Sequence, residues 1–253
     1  MPSVARIGSK SEIAIRVSAT TEPATFTANE WRIIGLTSAG HSLCHVSELA
    51  FAAVIGAVMT EFRLAPDQAA ALAVPGFILY GIGAVPAGLW TDRRGSREVL
   101  TVYFVLMAVA SAAVWFAQSS WQLGVALALL GTAISLYHPA GLTMISHGCQ
   151  RRGRAMGING VAGSFGVAMG PAIGLFLASR GQWRATYGVV TVLSVVCVLA
   201  AIVLPIHLPQ YERTHTDSPK PAARRGAIAT LALLFVAMLM GGINYRSLTT
   251  ALP

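Results

Sequence analysis

The chain has 253 residues, of which 55% are hydrophobic and only 11% charged, with 18 Lys+Arg against 10 Asp+Glu. Soluble domains carry roughly 25% charged residues, so this chain, at a mean hydropathy of +0.63, cannot cover a water-exposed surface. Soluble enzymes, nucleic-acid binders and disordered chains are excluded, and a polytopic membrane protein is predicted. Three scattered cysteines, Cys44, Cys149 and Cys197, make neither a disulfide framework nor a thiolate metal site.

Residues 1–31 are polar, lack the apolar core of a cleaved signal peptide, and read as a flexible tail. Apolar runs long enough to cross a bilayer, about 20 residues, then follow at 32–60, 69–90, 98–117, 121–147, 155–179, 185–205 and 226–253. They are too long and too continuous for the alternating strands of an outer-membrane barrel. Between the sixth and seventh, residues 206–225 (HLPQYERTHTDSPKPAARRG) form a polar, basic, Pro-containing stretch that reads as a linker. The expected organisation is a tail (1–31), a six-helix bundle (32–205), a linker (206–225) and the opening helix of a second bundle (226–253).

Charge alternates from loop to loop. One side of the membrane receives fourteen cations: Arg6, Lys10, Arg16 and Arg32, then Arg93, Arg94 and Arg97, then Arg151, Arg152 and Arg154, then Arg213, Lys220, Arg224 and Arg225. The other receives Arg63, Arg180 and Arg184. The positive-inside rule places the basic side and the N-terminus in the cytoplasm, so the net charge of +8 records topology rather than a nucleic-acid partner.

Small residues let helices approach closely in lipid. The third span has no glycine and the sixth only Gly188, whereas the first, second, fourth and fifth hold most of the intramembrane glycines and polar residues. Those four are expected to line a central space, with the third and sixth outside, in an internal three-plus-three repeat. In the fifth span Gly157, Gly160, Gly163, Gly166, Gly170 and Gly174 recur every three or four residues, and Pro171 follows Gly170. Tight packing is one reading of this stripe; a flexible gasket between moving bundles, bending at the proline, is the other.

Glu48 and Arg246 are the charges that fall well inside a span, where ionisable groups are costly and mark a pathway. His41, His45 and Glu48 stand at i, i+4 and i+7 on one helix face, and His138 precedes Pro139 in the fourth span. A proton-binding group in a water-filled cavity competes here with histidines merely satisfied by neighbouring hydroxyls. The His41-x-x-x-His45 spacing suits a metal, but no Glu follows the first His and no Cys pair is near. No metal or other cofactor is expected. Arg246, beside Tyr245, is within reach of the depth of Glu48 and is expected to pair with it or to meet an anionic substrate.

Gly88-Leu89-Trp90-Thr91-Asp92-Arg93-Arg94-Gly95-Ser96-Arg97 resembles the G-x-x-x-D-R-x-G-R-R signature between the second and third spans of the major facilitator superfamily. Gly88, Asp92, Arg93, Gly95 and Arg97 match, and Ser96 replaces a basic residue. Gly166-x-x-x-Gly170-Pro171-x-x-Gly174 is similar to the superfamily's antiporter motif. The membrane-embedded Arg of its drug-antiporter signature is lacking in the fourth span. Tyr137-His138-Pro139 and Tyr245 to Pro253 look similar to the fosmidomycin-resistance-like branch. The resemblance covers residues 32–253.

It implies an all-α bundle of the major facilitator type, plus one further helix, acting by alternating access between two six-helix halves in a bacterial inner membrane. The expected activity is proton-coupled efflux of a small molecule by a secondary carrier that is not an enzyme, its partners being that solute, H+ and the lipid bilayer. In that setting Asp92 is expected to accept from Arg93 or Arg97 and to cap a helix of the second half. Activity is expected to need the C-terminal bundle or a second copy, and a truncated, inactive or regulatory half-carrier is the alternative. An intramembrane hydrolase using Ser164 and His138 is more remote, because the Gly-x-Ser-Gly order is missing. No phosphate-binding loop for ATP occurs.

Overall fold

A computed structural model of the chain describes residues 25–209 and Leu233. Apart from Leu233, the expected seventh span, with Tyr245 and Arg246, and the linker beyond Pro209 lie outside the described residues. Within them are eight helices and no strand: α1 (Ala28–Phe62), α2 (Pro66–Ala71), α3 (Val74–Arg94), α4 (Ser96–Phe116), α5 (Ser120–Ser135), α6 (Tyr137–Gly148), α7 (Arg152–Ala178) and α8 (Ala185–Val203). They make six membrane-length spans, two of them broken: α2 with α3, and α5 with α6. Both breaks have the same cause. Pro75 and Pro139 have no N–H to give to the carbonyl four residues back, so the second span interrupts at Leu72–Ala73 and the fourth at Leu136.

The first helix begins earlier than the composition suggested, at Ala28 rather than residue 32. Thr27 caps it: its hydroxyl accepts from Glu30 N–H at 3.2 Å, and the Glu30 carboxylate accepts from Thr27 N–H at 2.8 Å. This reciprocal box stabilises the first turn by satisfying two orphan donors. Glu30 also accepts from the backbone N–H of Gln150 at 2.7 Å. The polar residues that read as the end of a tail are therefore the start of a 35-residue helix about 50 Å long at 1.5 Å per residue, long enough to carry its ends beyond the hydrocarbon.

Helix pairing follows the repeat. α1 packs chiefly on α7, α3 on α5, and α4 on α8. Exchanging the first three spans for the last three turns the first–fifth pair into the fourth–second pair and leaves the third–sixth pair in place. The loops repeat the relation in chemical detail. After the second span Gly95 takes φ 91°, and Arg97 donates to the carbonyls of Ala201, Leu204 and Ile206 at 3.0–3.1 Å, closing the C-terminal end of α8. After the fifth span Gly181 takes φ 70°, and Arg184 donates to the carbonyl of Ala117 at 2.6 Å, closing the C-terminal end of α4. Each is a cation at the negative end of a helix with its last carbonyls unmet.

The start of the expected linker is also docked. Ile206 is buried, Asn29 and His207 exchange a pair of hydrogen bonds at 2.8 and 2.9 Å, and Arg32 donates to Pro205 O at 3.3 Å. Buried residues of α4, among them Leu100, Tyr103, Phe104 and Met107, form the back of the core, while α8 turns Val192, Val196, Leu199 and Val203 outward.

Candidate functional site

The stripe on the fifth span packs inside the bundle. A Cβ on Gly166 would strike the carbonyl oxygen of Ser42, one on Gly170 would come 2.8 Å from Val46 O, and one on Gly174 would come 2.9 Å from Ala53 Cβ. Gly163 lies directly against the His41 ring, while Gly157 and Gly160 face open space. Four of the six glycines are thus spent on bringing α7 against α1 of the same half, which corrects the gasket reading for Gly163, Gly166, Gly170 and Gly174. The helix is continuous through Pro171.

That close approach builds the site. With α7 backbone at the surface of α1, Ser42 Oγ donates to Ala162 O at 2.7 Å and His41 Nδ1 donates to Asn159 O at 2.8 Å. The Nε2 atoms of His41 and His45 face each other at 3.1 Å, and His45 Nδ1 meets Glu48 Oε2 at 3.0 Å. The face read from i, i+4, i+7 spacing is therefore one connected chain, Asn159 O–His41–His45–Glu48, centred on the middle of α1. His45 and Glu48 side chains are 21% and 20% exposed, so the chain can be reached from outside.

His138 joins from the fourth span at the break before Pro139. Its ring lies 5.3 Å from that of His41 and 5.8 Å from that of His45, and its Nε2 is 4.0 Å from Cys44 Sγ. Around this core stand groups that the sequence left unassigned. Tyr137 stacks on His41 at 5.0 Å, its hydroxyl donating to Thr37 O at 2.9 Å and accepting from Asn159 Nδ2 at 2.9 Å. Gly40 and Gly141 make room for that ring, which a Cβ at either would overlap. Tyr80 stacks loosely on His138 at 6.5 Å. Beside Glu48 a cavity of about 30 Å³ is lined by Ser47, Phe51, Tyr80, Leu130 and Gly131, room for one or two waters. Asn159 could have been flagged as an amide inside a glycine-rich span; Tyr80 gave no such signal.

Every lining group comes from the first, second, fourth or fifth span, as the glycine distribution predicted, with Tyr103 of the third supporting Gly40 O from behind at 2.9 Å. Ser164 is exposed and makes no hydrogen bond to His138. In the signature loop the expected donation from Arg93 or Arg97 to Asp92 is not made. Arg97 is committed to α8, while Asp92 and Arg93 are exposed and form no ion pair among the described residues. Gly88 is half-buried beside open space, and Gly95 supplies the positive φ.

The sequence profile of the Major Facilitator Superfamily matches residues 37–253. The chain belongs to that superfamily. Among curated superfamily relatives, it is 24% identical over 192 residues to the hexuronate transporter of Escherichia coli K12, covering 75% of this chain and 44% of that protein. It is 26% identical over 174 residues to the fosmidomycin resistance protein of the same strain, covering 67% of this chain and 42% of that one. The inward-open xylose transporter XylE of E. coli shares the fold at TM-score 0.60 and 15% identity, over 70% of this chain and 48% of its own. The chain thus spans about half the length of the curated relatives it matches. Six membrane-length helices in this fold make it a multi-pass integral membrane protein.

Proposed function

We propose that the bundle is the N-terminal half of a proton-coupled secondary transporter of a small molecule, working by alternating access. The observation that carries this is the polar chain His41–His45–Glu48 at the middle of α1, on the face built by the spans expected to line the path. With Glu48 ionised and both imidazoles neutral, the carbonyl of Asn159 and the Glu48 carboxylate each require an N–H from Nδ1. The two Nε2 lone pairs then oppose each other. One added proton resolves this: Glu48 donates to His45 Nδ1, His45 donates through Nε2 to His41, and His41 donates to Asn159 O. The chain therefore has a satisfied form one proton richer than its ionised form, as coupling requires.

The Gly166–Gly174 motif resemblance favours export. The basic face is proposed to lie in the cytoplasm of a bacterial inner membrane. A second six-helix bundle, from the C-terminal half or a second copy, would complete the path; in its absence the chain would be an inert or regulatory half. The site points to no covalent chemistry, and the protein is read as a carrier rather than an enzyme.

The test is flux in proteoliposomes under an imposed pH gradient, with galacturonate and fosmidomycin as probe solutes and an interior pH dye. Solute-dependent proton movement that disappears in Glu48→Gln supports the reading. Solute flux indifferent to both the gradient and Glu48→Gln refutes the coupling, and no flux of solute or proton from this chain favours the inert half.

A further inference from the structure

We propose that His41, His45 and His138 form a binding site for a first-row divalent transition-metal ion such as Zn2+. The ligand nitrogens of the three all lie within 4.8 Å of one another. Tetrahedral zinc with Zn–N of 2.0–2.1 Å needs nitrogens about 3.3–3.4 Å apart. His41 and His45 Nε2 already stand at 3.1 Å, and the His138 nitrogen, within 4.8 Å of both, has a remaining gap of up to about 1.5 Å to close by side-chain rotation.

The second contacts of the rings fit a metal better than a simple hydrogen-bonded pair. A backbone carbonyl accepts only, so His41 Nδ1 carries its proton toward Asn159 O and leaves the Nε2 lone pair bare. His45 Nδ1 is turned to the Glu48 carboxylate and likewise leaves Nε2 bare. Carboxylate and carbonyl groups behind ligating histidines, fixing tautomer and ring plane, are the usual support of a zinc-binding imidazole. Here both supports are in place, and Tyr137 stacked on His41 holds the ring further. Imidazole donors suit zinc, copper, iron and nickel rather than magnesium or calcium, which sets the class of ion.

The sequence set zinc aside because no Glu follows His41 and no Cys pair is near; the third imidazole lies far along the chain. It is supplied across the bundle, by the residue before the proline break. Three protein nitrogens leave a fourth coordination position for water or an anionic solute group, and the partial exposure of the His45 and Glu48 side chains gives such a ligand access.

This inference rests on ligand geometry and stands apart from the transport reading. The full chain, purified in detergent without a polyhistidine tag, is titrated with ZnCl2 by calorimetry and with CoCl2 by visible absorption. One Zn2+ per chain is expected, with a tetrahedral Co2+ spectrum. His41→Gln and His138→Gln should each weaken Zn2+ binding at least about 10-fold, and Glu48→Gln by about 10-fold through loss of ring support. His147→Gln, on the basic face, should leave it unchanged. Should a histidine variant not fold, the Zn2+-induced rise in unfolding temperature of the unaltered chain, compared with Glu48→Gln, reads the same site. Absence of saturable Zn2+ binding overturns the proposal, leaving a proton as the sole cation between the rings. Binding that survives both His41→Gln and His138→Gln overturns it as well.

Discussion

Gly166→Ala adds a single methyl group at the tightest contact between α1 and α7. Its Cβ would overlap the Ser42 carbonyl and lie 2.9 Å from Ser42 Cα, both backbone atoms that no rotamer can move. The helices must separate by several tenths of an ångström, and overpacking of this kind costs about 1–3 kcal/mol. The same separation stretches Ser42 Oγ–Ala162 O and His41 Nδ1–Asn159 O, now 2.7 and 2.8 Å; intramembrane hydrogen bonds average about 0.6 kcal/mol each. Replacing glycine by alanine in a helix returns about 0.8–1 kcal/mol. The net expectation is a loss of about 1–3 kcal/mol. Gly160→Ala, in the same helix with nothing within 4 Å of its added Cβ, keeps only the helix gain and should be neutral or stabilising by up to about 1 kcal/mol. Unfolding in mixed micelles with rising SDS fraction, followed by circular dichroism, gives both values in parallel. Equal midpoints for the two variants would refute the packing argument.

Arg97→Ala should free the last turn of α8 and Arg184→Ala the last turn of α4, each lowering the unfolding midpoint; Arg184→Ala should be worse, because it also leaves Glu61 with Trp183 as its remaining partner. Hydrogen exchange at Ala200–Ile206 and at Val114–Gln118 reads the two ends separately, and a change at the wrong end would contradict the repeat. Tyr137→Phe removes the donor to Thr37 O and strands Asn159 Nδ2, a cost of about 1–3 kcal/mol for an unsatisfied buried group, visible in the same unfolding assay. Burial, with the Glu30 carboxylate adding to it, pushes the Cys149 thiol up to about 11. Since the thiolate is the reactive form, maleimide labelling of Cys149 in the folded chain should stay slow at pH 8 and become rapid on unfolding; fast labelling at pH 8 would show that the Thr27–Glu30–Gln150 closure opens.

Much of the site was legible because the bilayer makes ionisable residues conspicuous. His41, His45 and Glu48 share a face by helical period alone, and a His-Pro pair in an apolar run announced a break. The partners were not legible. Asn159 stands out as an amide in a glycine-rich span, but what it gives His41 is its carbonyl oxygen, a group every residue has, so no side-chain pattern announces that contact. Asp92 and Arg97 carried a recognisable signature, yet which of the two is committed within this half depends on where α8 ends in space. The glycine stripe admitted two interpretations because small residues serve equally within a bundle and between bundles.

What the sequence determined by itself was the class, the number of described spans and the expectation of a three-plus-three repeat, because hydrophobic length, loop charge and the spacing of glycine and proline act along the chain. The tertiary structure decided which surfaces those features meet. Packing α7 backbone against α1 turned a row of glycines into a seat for His41, and the break at Leu136 carried His138 across to it. Contacts between residues about a hundred positions apart depend on how helices dock, and that is fixed by mutual shape rather than by any local pattern.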